Sequence, residues 1–321
     1  MTGDPSSYPM LLEPRYIEKP WGGRRMEGIF GRALPAGLSI GESWELFDRP
    51  AGSSRIRNGP LLGHCLAEYR AKREIPILLK ILDIRERLSV QVHPDAGTAH
   101  AHGTEAKTEA WVVLEAGPEA RIWRGFCEET TPDAFREAVA AGTVADLLHS
   151  FAPKAGEVVT IPAGTVHAAA GGLLLAEIQQ SSECTYRLFD WARGGADRPL
   201  QIDRGLEALR LGPAGPDRVV PRELGDDGNL RRLLLVANRW FEAEHLTAAG
   251  TVTFETADGD RDRWHAVLVL SGSGVVRAFD RRAEPAEFRP GDTSMLPASR
   301  DAYEIEPRGG QVVQALAFRE A

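Results

Sequence analysis

Hydrophobic and polar positions change their period several times along the chain. Over residues 88–93 (Leu-Ser-Val-Gln-Val-His) they alternate strictly, so Ser89, Gln91 and His93 share one strand face and Leu88, Val90 and Val92 the other. Residues 77–82 are apolar except for Lys80, the pattern of a buried strand. Shorter β-type runs fall at 43–47, 109–114, 120–124, 157–161, 173–179 and 184–189, and the chain is again β-type from about 230. Helical spacing is rarer. Residues 62–73 place Leu62, Leu66 and Tyr69 on one face. Thr131 followed by Pro132 predicts an N-cap with proline at the first helical position, Gly142 a stop, and Thr143 the cap of a second helix through residue 151. A last short helix is expected over 201–211. The first 60 residues are broken by Pro14, Pro20, Gly22, Gly23, Gly31, Pro35 and Gly37.

A weak internal repeat organises these elements. Gly156-x5-Pro162-x-Gly164 recurs as Gly291-x5-Pro297-x-Ser299, and residues 112–117 have a likeness in 267–272. The expectation is a mainly β protein of two related barrels: residues 1–225 with a helical insert at about 128–151, and residues 226–321.

Composition narrows the function classes. The 321 residues are 43 % hydrophobic and 26 % charged, enough length and apolar content for a large core. A net charge of −8 without a basic block disfavours nucleic acid, which needs phosphate neutralisation. No run approaches the ~18 apolar residues of a membrane span. The opening residues lack a basic segment followed by an apolar one, and Cys65, Cys127 and Cys184 lack C-x-x-C spacing. A cytoplasmic protein with reduced thiols is expected, as a monomer or homodimer.

Four polar groupings interrupt the apolar pattern. Gln91-Val92-His93 aims an amide and an imidazole to one side of a strand. Lys107-Thr108-Glu109 carries a carboxylate into an apolar run, a costly burial unless a cation faces it. Each of these alone reads more readily as a solvated face. Gly156-x5-Pro162-x-Gly164-x-x-His167 is more specific, a tight turn followed by histidine at a fixed distance, and it resembles the second motif of the cupins, where that histidine binds metal. Glu177, Gln179 and Arg187 share a parity, with Arg193 six residues on. Two imidazoles, a carboxylate and an amide oxygen without thiolate suit Zn²⁺, Fe²⁺ or Mn²⁺, and leave an open position for catalysis. His100-x-His102 has metal-type spacing but lies outside any strand pattern. In the second unit Ala302 stands where His167 stands in the first, so no metal is expected there.

In combination these segments resemble the type I phosphomannose isomerases of short bacterial form. The likeness rests on Lys19-Pro-Trp-Gly22, Gly41-Glu-Ser-Trp-Glu45, Leu88 through Asp95, Lys107-Thr-Glu-Ala-Trp111, Ile161 through Ala168, Glu177-Ile-Gln-Gln180 and Thr185 through Trp191. The resemblance implies cupin-type jelly-roll barrels, the second without metal. It implies one zinc ion held by Gln91, His93, Glu109 and His167, and reversible conversion of mannose 6-phosphate to fructose 6-phosphate through a cis-enediol. Arg187, Lys107 and Glu177 are the implied catalytic residues, and Lys80, Ser89, Arg193 and Trp21 the implied substrate residues. Two departures stand out: Ala169 replaces an aromatic of longer relatives, and Gln91-x-His93 replaces the His-x-His of cupins. The alternative is a metal-binding cupin that senses a sugar phosphate without turning it over. Retention of Lys107, Glu177 and Arg187 favours the enzyme.

Overall fold

The computed structural model describes residues 8–69, 75–193, 198–216, 218–255, 257–258, 261–262, 265–278, 284–297 and 302–321. Among them, four larger antiparallel sheets carry the architecture, and the protein is mainly β as expected.

The central six-stranded sheet runs in the order Val158–Ile161, Glu109–Ala116, Leu173–Gln180, Ile77–Ile84, Arg15–Gly23, Ile40–Leu46, and the last of these also pairs with Ile77–Ile84. One face packs on a five-stranded sheet ordered Leu148–Phe151, Arg121–Phe126, His167–Ala170, Val90–Val92, Tyr186–Phe189. Between them lies a core of Leu82, Ile84, Trp111, Val113, Val159 and Leu175 against Ile122 and Ala169. Its other face, through Ile77, Leu79, Ile81, Val112 and Ala176, meets Phe241, Ala266, Leu268, Leu316 and Phe318 of an eight-stranded sheet. That sheet covers a four-stranded one through Val267, Val269, Val276, Phe288 and Tyr303. The central sheet is therefore covered on both faces. This explains why all eight residues of Ile77–Ile84 are buried and why their sequence shows no alternation.

Helices Pro132–Ala141 and Ile202–Ala208 close the outer face of the five-stranded sheet, where Phe135, Ala138 and Ala208 pack on Val90, Val92 and Leu188. The Thr131 side chain accepts from Ala134 N at 3.2 Å, and Gly142 ends the helix at φ 75°, as the sequence predicts. The second helix of the insert is not formed. Val144–Leu147 is a single 3₁₀ turn, and Leu148–Phe151 is a strand paired with Arg121–Phe126. A distant strand with unmet backbone groups recruits it, and local periodicity carries no sign of that. The helix expected over 62–73 shortens to Leu66–Tyr69, with 70–74 outside the described residues.

The strand Met10–Glu13 leaves its chain neighbours and joins the eight-stranded sheet, between Thr293–Leu296 and Arg55–Ile56. The position 225/226 falls within the strand Arg222–Asp226. In the repeat, Gly156 and Gly291 both take left-handed φ, 87° and 84°, where a side chain would be strained. Ser299 lies outside the described residues, and Ala302 opens the strand Ala302–Pro307.

Candidate active site

Strand register assembles two facing rows of polar side chains. On the five-stranded sheet, Gln91 is the direct partner of both His167 and Arg187. On the central sheet, Trp111 pairs with Glu177, Glu177 with Lys80, and Lys80 with Trp44. Parity fixes the direction of each row. The odd positions of 89–93 face inward because Val90 and Val92 are held by the helices outside.

At the base, His93, Glu109 and His167 bring one ligand atom each to within 4.8 Å of one another, and all three are buried. Second partners fix both imidazole tautomers. His93 Nδ1 donates to the Cys184 carbonyl at 2.8 Å, and His167 Nδ1 donates to the Thr165 carbonyl at 2.9 Å. Each Nε2 therefore carries a lone pair. His93 Nε2 lies 3.3 Å from Glu109 Oε2, and His167 Nε2 lies 3.3 Å from Glu109 Oε1. Burial, then the Lys107 cation, pushes the His93 imidazole down to about 4, and burial lowers His167 as well. Glu109 stays ionised: against the cost of burial, the Lys107 ammonium holds its carboxyl well below the usual range. Its partner Lys107 Nζ is at 2.8 Å from Oε2.

Acceptor atoms thus face one another in a buried interior; Lys107 reaches one Glu109 oxygen, while among the described residues His93 Nε2 and Glu109 Oε1 have no hydrogen-bond donor. Such groups are costly unless a cation completes them. The fourth expected ligand is adjacent, with Gln91 Nε2 3.1 Å from His167 Nε2 and its oxygen 3.4 Å from Ser89 Oγ. A half-turn of the amide presents the oxygen instead. Two neutral imidazoles, a carboxylate and an amide oxygen fit a borderline divalent ion. His102 is occupied elsewhere: Nδ1 meets the Tyr186 hydroxyl and Nε2 meets Glu207, both at 2.7 Å.

Above this group opens a cavity of about 310 Å³. Gln91, Lys107, Glu177 and Arg187 line it, with Trp21, Lys80 and Ser89. Glu177 is held at both oxygens, by the Trp111 indole N–H at 2.9 Å and by Lys80 Nζ at 3.3 Å. Arg187 Nη1 donates to the Pro199 carbonyl at 3.2 Å, while its buried Nε has no partner among the described residues. Burial, followed by the nearby Arg198 charge, lowers the Arg187 pKa.

Arg193 is the expected residue that the structure does not bring to the cavity. Trp191 and Ala192 take left-handed φ of 56° and 59°, which ends the strand parity running from Arg187. Arg193 Nη2 instead pairs with Asp190 at 2.7 Å, and Arg198 lines the cavity in its place.

Two residues missed in the sequence complete the wall. Glu42 receives Lys19 at 2.9 Å and the Trp44 indole at 2.8 Å, and lies 3.6 Å from Lys80. Burial opposes its charge, but Lys80 and Lys19 hold the carboxyl down to about 2. Trp44 lies under Lys80, whose Nζ is 5.3 Å from the ring centroid. The alternation of Glu42, Trp44 and Leu46 against Ser43 and Glu45 is the signal that marks them.

Comparison with known proteins points to one family. The type I phosphomannose isomerase catalytic domain matches residues 10–111. The chain is 33 % identical over 312 residues to a mannose-6-phosphate isomerase of Streptococcus mutans serotype c, covering 93 % of this chain and 95 % of that one. It is 32 % identical over 315 residues to GmuF of Bacillus subtilis, a protein named as a probable mannose-6-phosphate isomerase, with 94 % and 96 % covered. The crystal structure of the mannose 6-phosphate isomerase from Bacillus subtilis superposes with a TM-score of 0.85 at 26 % identity, covering 98 % of this chain and 99 % of that one.

Proposed function

The chain belongs to the type I phosphomannose isomerases and is a mannose-6-phosphate isomerase, and from that premise we propose how its own residues carry the reaction. The observation that supports the reading most is the buried acceptor cluster of His93, Glu109 and His167 beneath a cavity lined by Lys80, Lys107 and Arg187. We assign one zinc ion to Gln91, His93, Glu109 and His167. When bound, it supplies Lewis-acid stabilisation to the charge that develops on the C1 and C2 oxygens of the sugar.

The sugar enters as a ring. Opening moves a proton from the C1 hydroxyl to the ring oxygen, and the Lys107 ammonium, fixed by Glu109, is the donor at the cavity floor. The open aldehyde then loses its C2 proton, giving a cis-enediolate that becomes the cis-enediol when O1 is protonated; a proton returns to C1 as the O2 proton leaves, so the net change moves one proton from C2 to C1 and one from O2 to O1. Glu177 is the carboxylate for this transfer, since Trp111 and Lys80 orient its two oxygens at the cavity wall. Arg187 is a preorganised cation for the enediolate, its Nε having no partner among the described residues. Lys80, Ser89, Trp21 and Arg198 hold the remaining sugar and phosphate. Arg193 falls outside this set.

The chemistry is assigned to residues 1–225, and residues 226–321 to a metal-free second unit. No described helix is long and apolar enough to cross a membrane, and we place the enzyme in the cytoplasm. A coupled assay of mannose 6-phosphate conversion, with metal analysis on the same sample, tests the reading. Metal without turnover would leave the sensing protein instead.

A further inference from the structure

One motif is not absorbed by this chemistry: the metal-free copy of the turn, Gly291-x5-Pro297. In the first unit the corresponding turn leads to His167. In the second, it leads to a buried carboxylate on another strand.

The strand Ile40–Leu46 has two working faces. Glu42 and Trp44 line the substrate cavity. Ser43 and Glu45 point the other way and are buried at 0 % and 1 % exposure, although neither is apolar. The Glu45 carboxylate receives Arg32 Nη1 at 2.7 Å and Nη2 at 2.9 Å, Ser43 Oγ at 2.6 Å and Thr293 Oγ1 at 3.0 Å. Arg32 Nη1 also donates to Ser43 Oγ at 2.9 Å, and Nη2 donates to the Gly291 carbonyl. Beside them Arg57 pairs with Asp292 at 2.6 Å. The turn 291–293 therefore meets the catalytic unit through a buried bidentate ion pair. The glycine is required here for space as well as for φ. A Cβ at 291 would lie 2.6 Å from Phe30 Cβ and 3.0 Å from Arg32 Nε.

We infer that the metal-free turn at Gly291–Thr293 is a strut for the active site, and that Thr293, Glu45 and Arg32 are positioning residues for the Glu42–Lys80 pair. The argument is one of geometry. A buried ion pair of this kind contributes little net stability, because desolvation offsets its attraction, but it is directional. It fixes the back of the strand in one register and one height. On the front, Glu42 and Trp44, on either side of Ser43, set the place of the Lys80 ammonium. Lys80 in turn orients Glu177. The second unit thus reaches the proton-transfer carboxylate through a single strand and three side chains.

This inference rests on the isomerase reading, and its test separates the two. Thr293→Val removes one donor to the carboxylate with nearly constant volume, and Thr293→Ser restores the hydroxyl. Metal content, kcat and KM for mannose 6-phosphate are measured on wild type and both variants, with amide hydrogen exchange across 40–46 and across 173–180. Expected for Thr293→Val are a full metal complement, a KM raised roughly two- to thirtyfold, the range that coupling through a packed network spans, and a smaller change in kcat. Exchange across 40–46 accelerates while 173–180 does not, and Thr293→Ser recovers both readouts. In a Glu42→Gln background, Thr293→Val adds no further rise in KM, since the strut acts through Glu42. Unchanged KM and unchanged exchange in Thr293→Val would overturn the strut, as would full additivity with Glu42→Gln. A wild type that binds metal without isomerising the sugar would defeat the isomerase reading, while the exchange difference would still report on the strut.

Discussion

His93 and Glu109 meet in the buried interior with a bare imidazole nitrogen 3.3 Å from a carboxylate oxygen. Neither atom can donate to the other while the imidazole is neutral, and both are buried. That arrangement could hold a metal ion, and the first predictions concern the proposed ion.

Replacing His93 by Ala should strip the metal and abolish turnover together, because it removes one of three converging ligand atoms. Replacing His100 should change neither, since it lies exposed on the helix Ala96–His102, outside the ligand cluster. Metal emission analysis of the purified variants reads both outcomes. Equal metal loss in the two would mean that the wrong histidines have been assigned.

Acid should weaken the metal-free protein in a defined window. The folded pKa of His93 is about 4 and that of His167 is also lowered, whereas both titrate near 6.5 when unfolded. The unfolded chain then binds more protons between those values, so stability is full above about 6.5 and declines as pH falls toward 4. For His93 the decline amounts to about 3 kcal/mol. Glu42, held at about 2, extends the loss below its ordinary range, from near 4.5 downward. Melting curves of chelator-treated protein at a series of pH values check this. A flat profile between 6.5 and 4 would contradict the neutral assignment of the imidazoles.

Arg187→Ala is expected to keep its metal and fold, because among the described residues the guanidinium donates to one carbonyl, that of Pro199. Turnover should fall by about 100- to 1000-fold, the usual effect of removing one preorganised stabiliser of developing charge. Steady-state kinetics beside metal analysis decides it, and a normal kcat would take Arg187 out of the mechanism.

Glu177→Gln should retain substrate binding yet lose the exchange of the C2 proton. With mannose 6-phosphate deuterated at C2, wild type should release or transfer the label and the variant should retain it. Proton transfer by one positioned group accounts for about 100- to 10000-fold in rate. Wild-type label loss in Glu177→Gln, with the same test on Lys107→Met abolishing it, would reverse the two roles.

Arg198 and Arg193 offer a comparison that the sequence alone would rank the other way. Arg198→Ala should raise KM for the phosphorylated sugar, and Arg193→Ala should leave it near the wild-type value. Both arginines pair with Asp190 at 2.7 Å, but only Arg198 lines the cavity. The opposite ranking would restore the assignment drawn from chain position.

Strand identity was legible wherever period two or an unbroken apolar run carried it. The 88–93 alternation told which side Gln91 and His93 share, and Thr131-Pro132 with Gly142 marked both ends of a helix that is present. The turn before His167 announced itself by spacing. Those features are local: parity, caps and left-handed glycines are decided by a few neighbouring residues.

What tertiary structure decided is which distant strands lie side by side. Register across two sheets puts His167 and Arg187 on either side of Gln91, and lines up Trp111, Glu177, Lys80 and Trp44 in one row. Pairing also made residues 148–151 a strand, and left-handed backbone at 191–192 turned Arg193 aside. Glu45 and Thr293, 248 positions apart, share a hydrogen bond that no local pattern encodes. Side-chain chemistry and its facing are properties of short segments, whereas the pairing of those segments follows from burying every face and every backbone group of the whole chain at once.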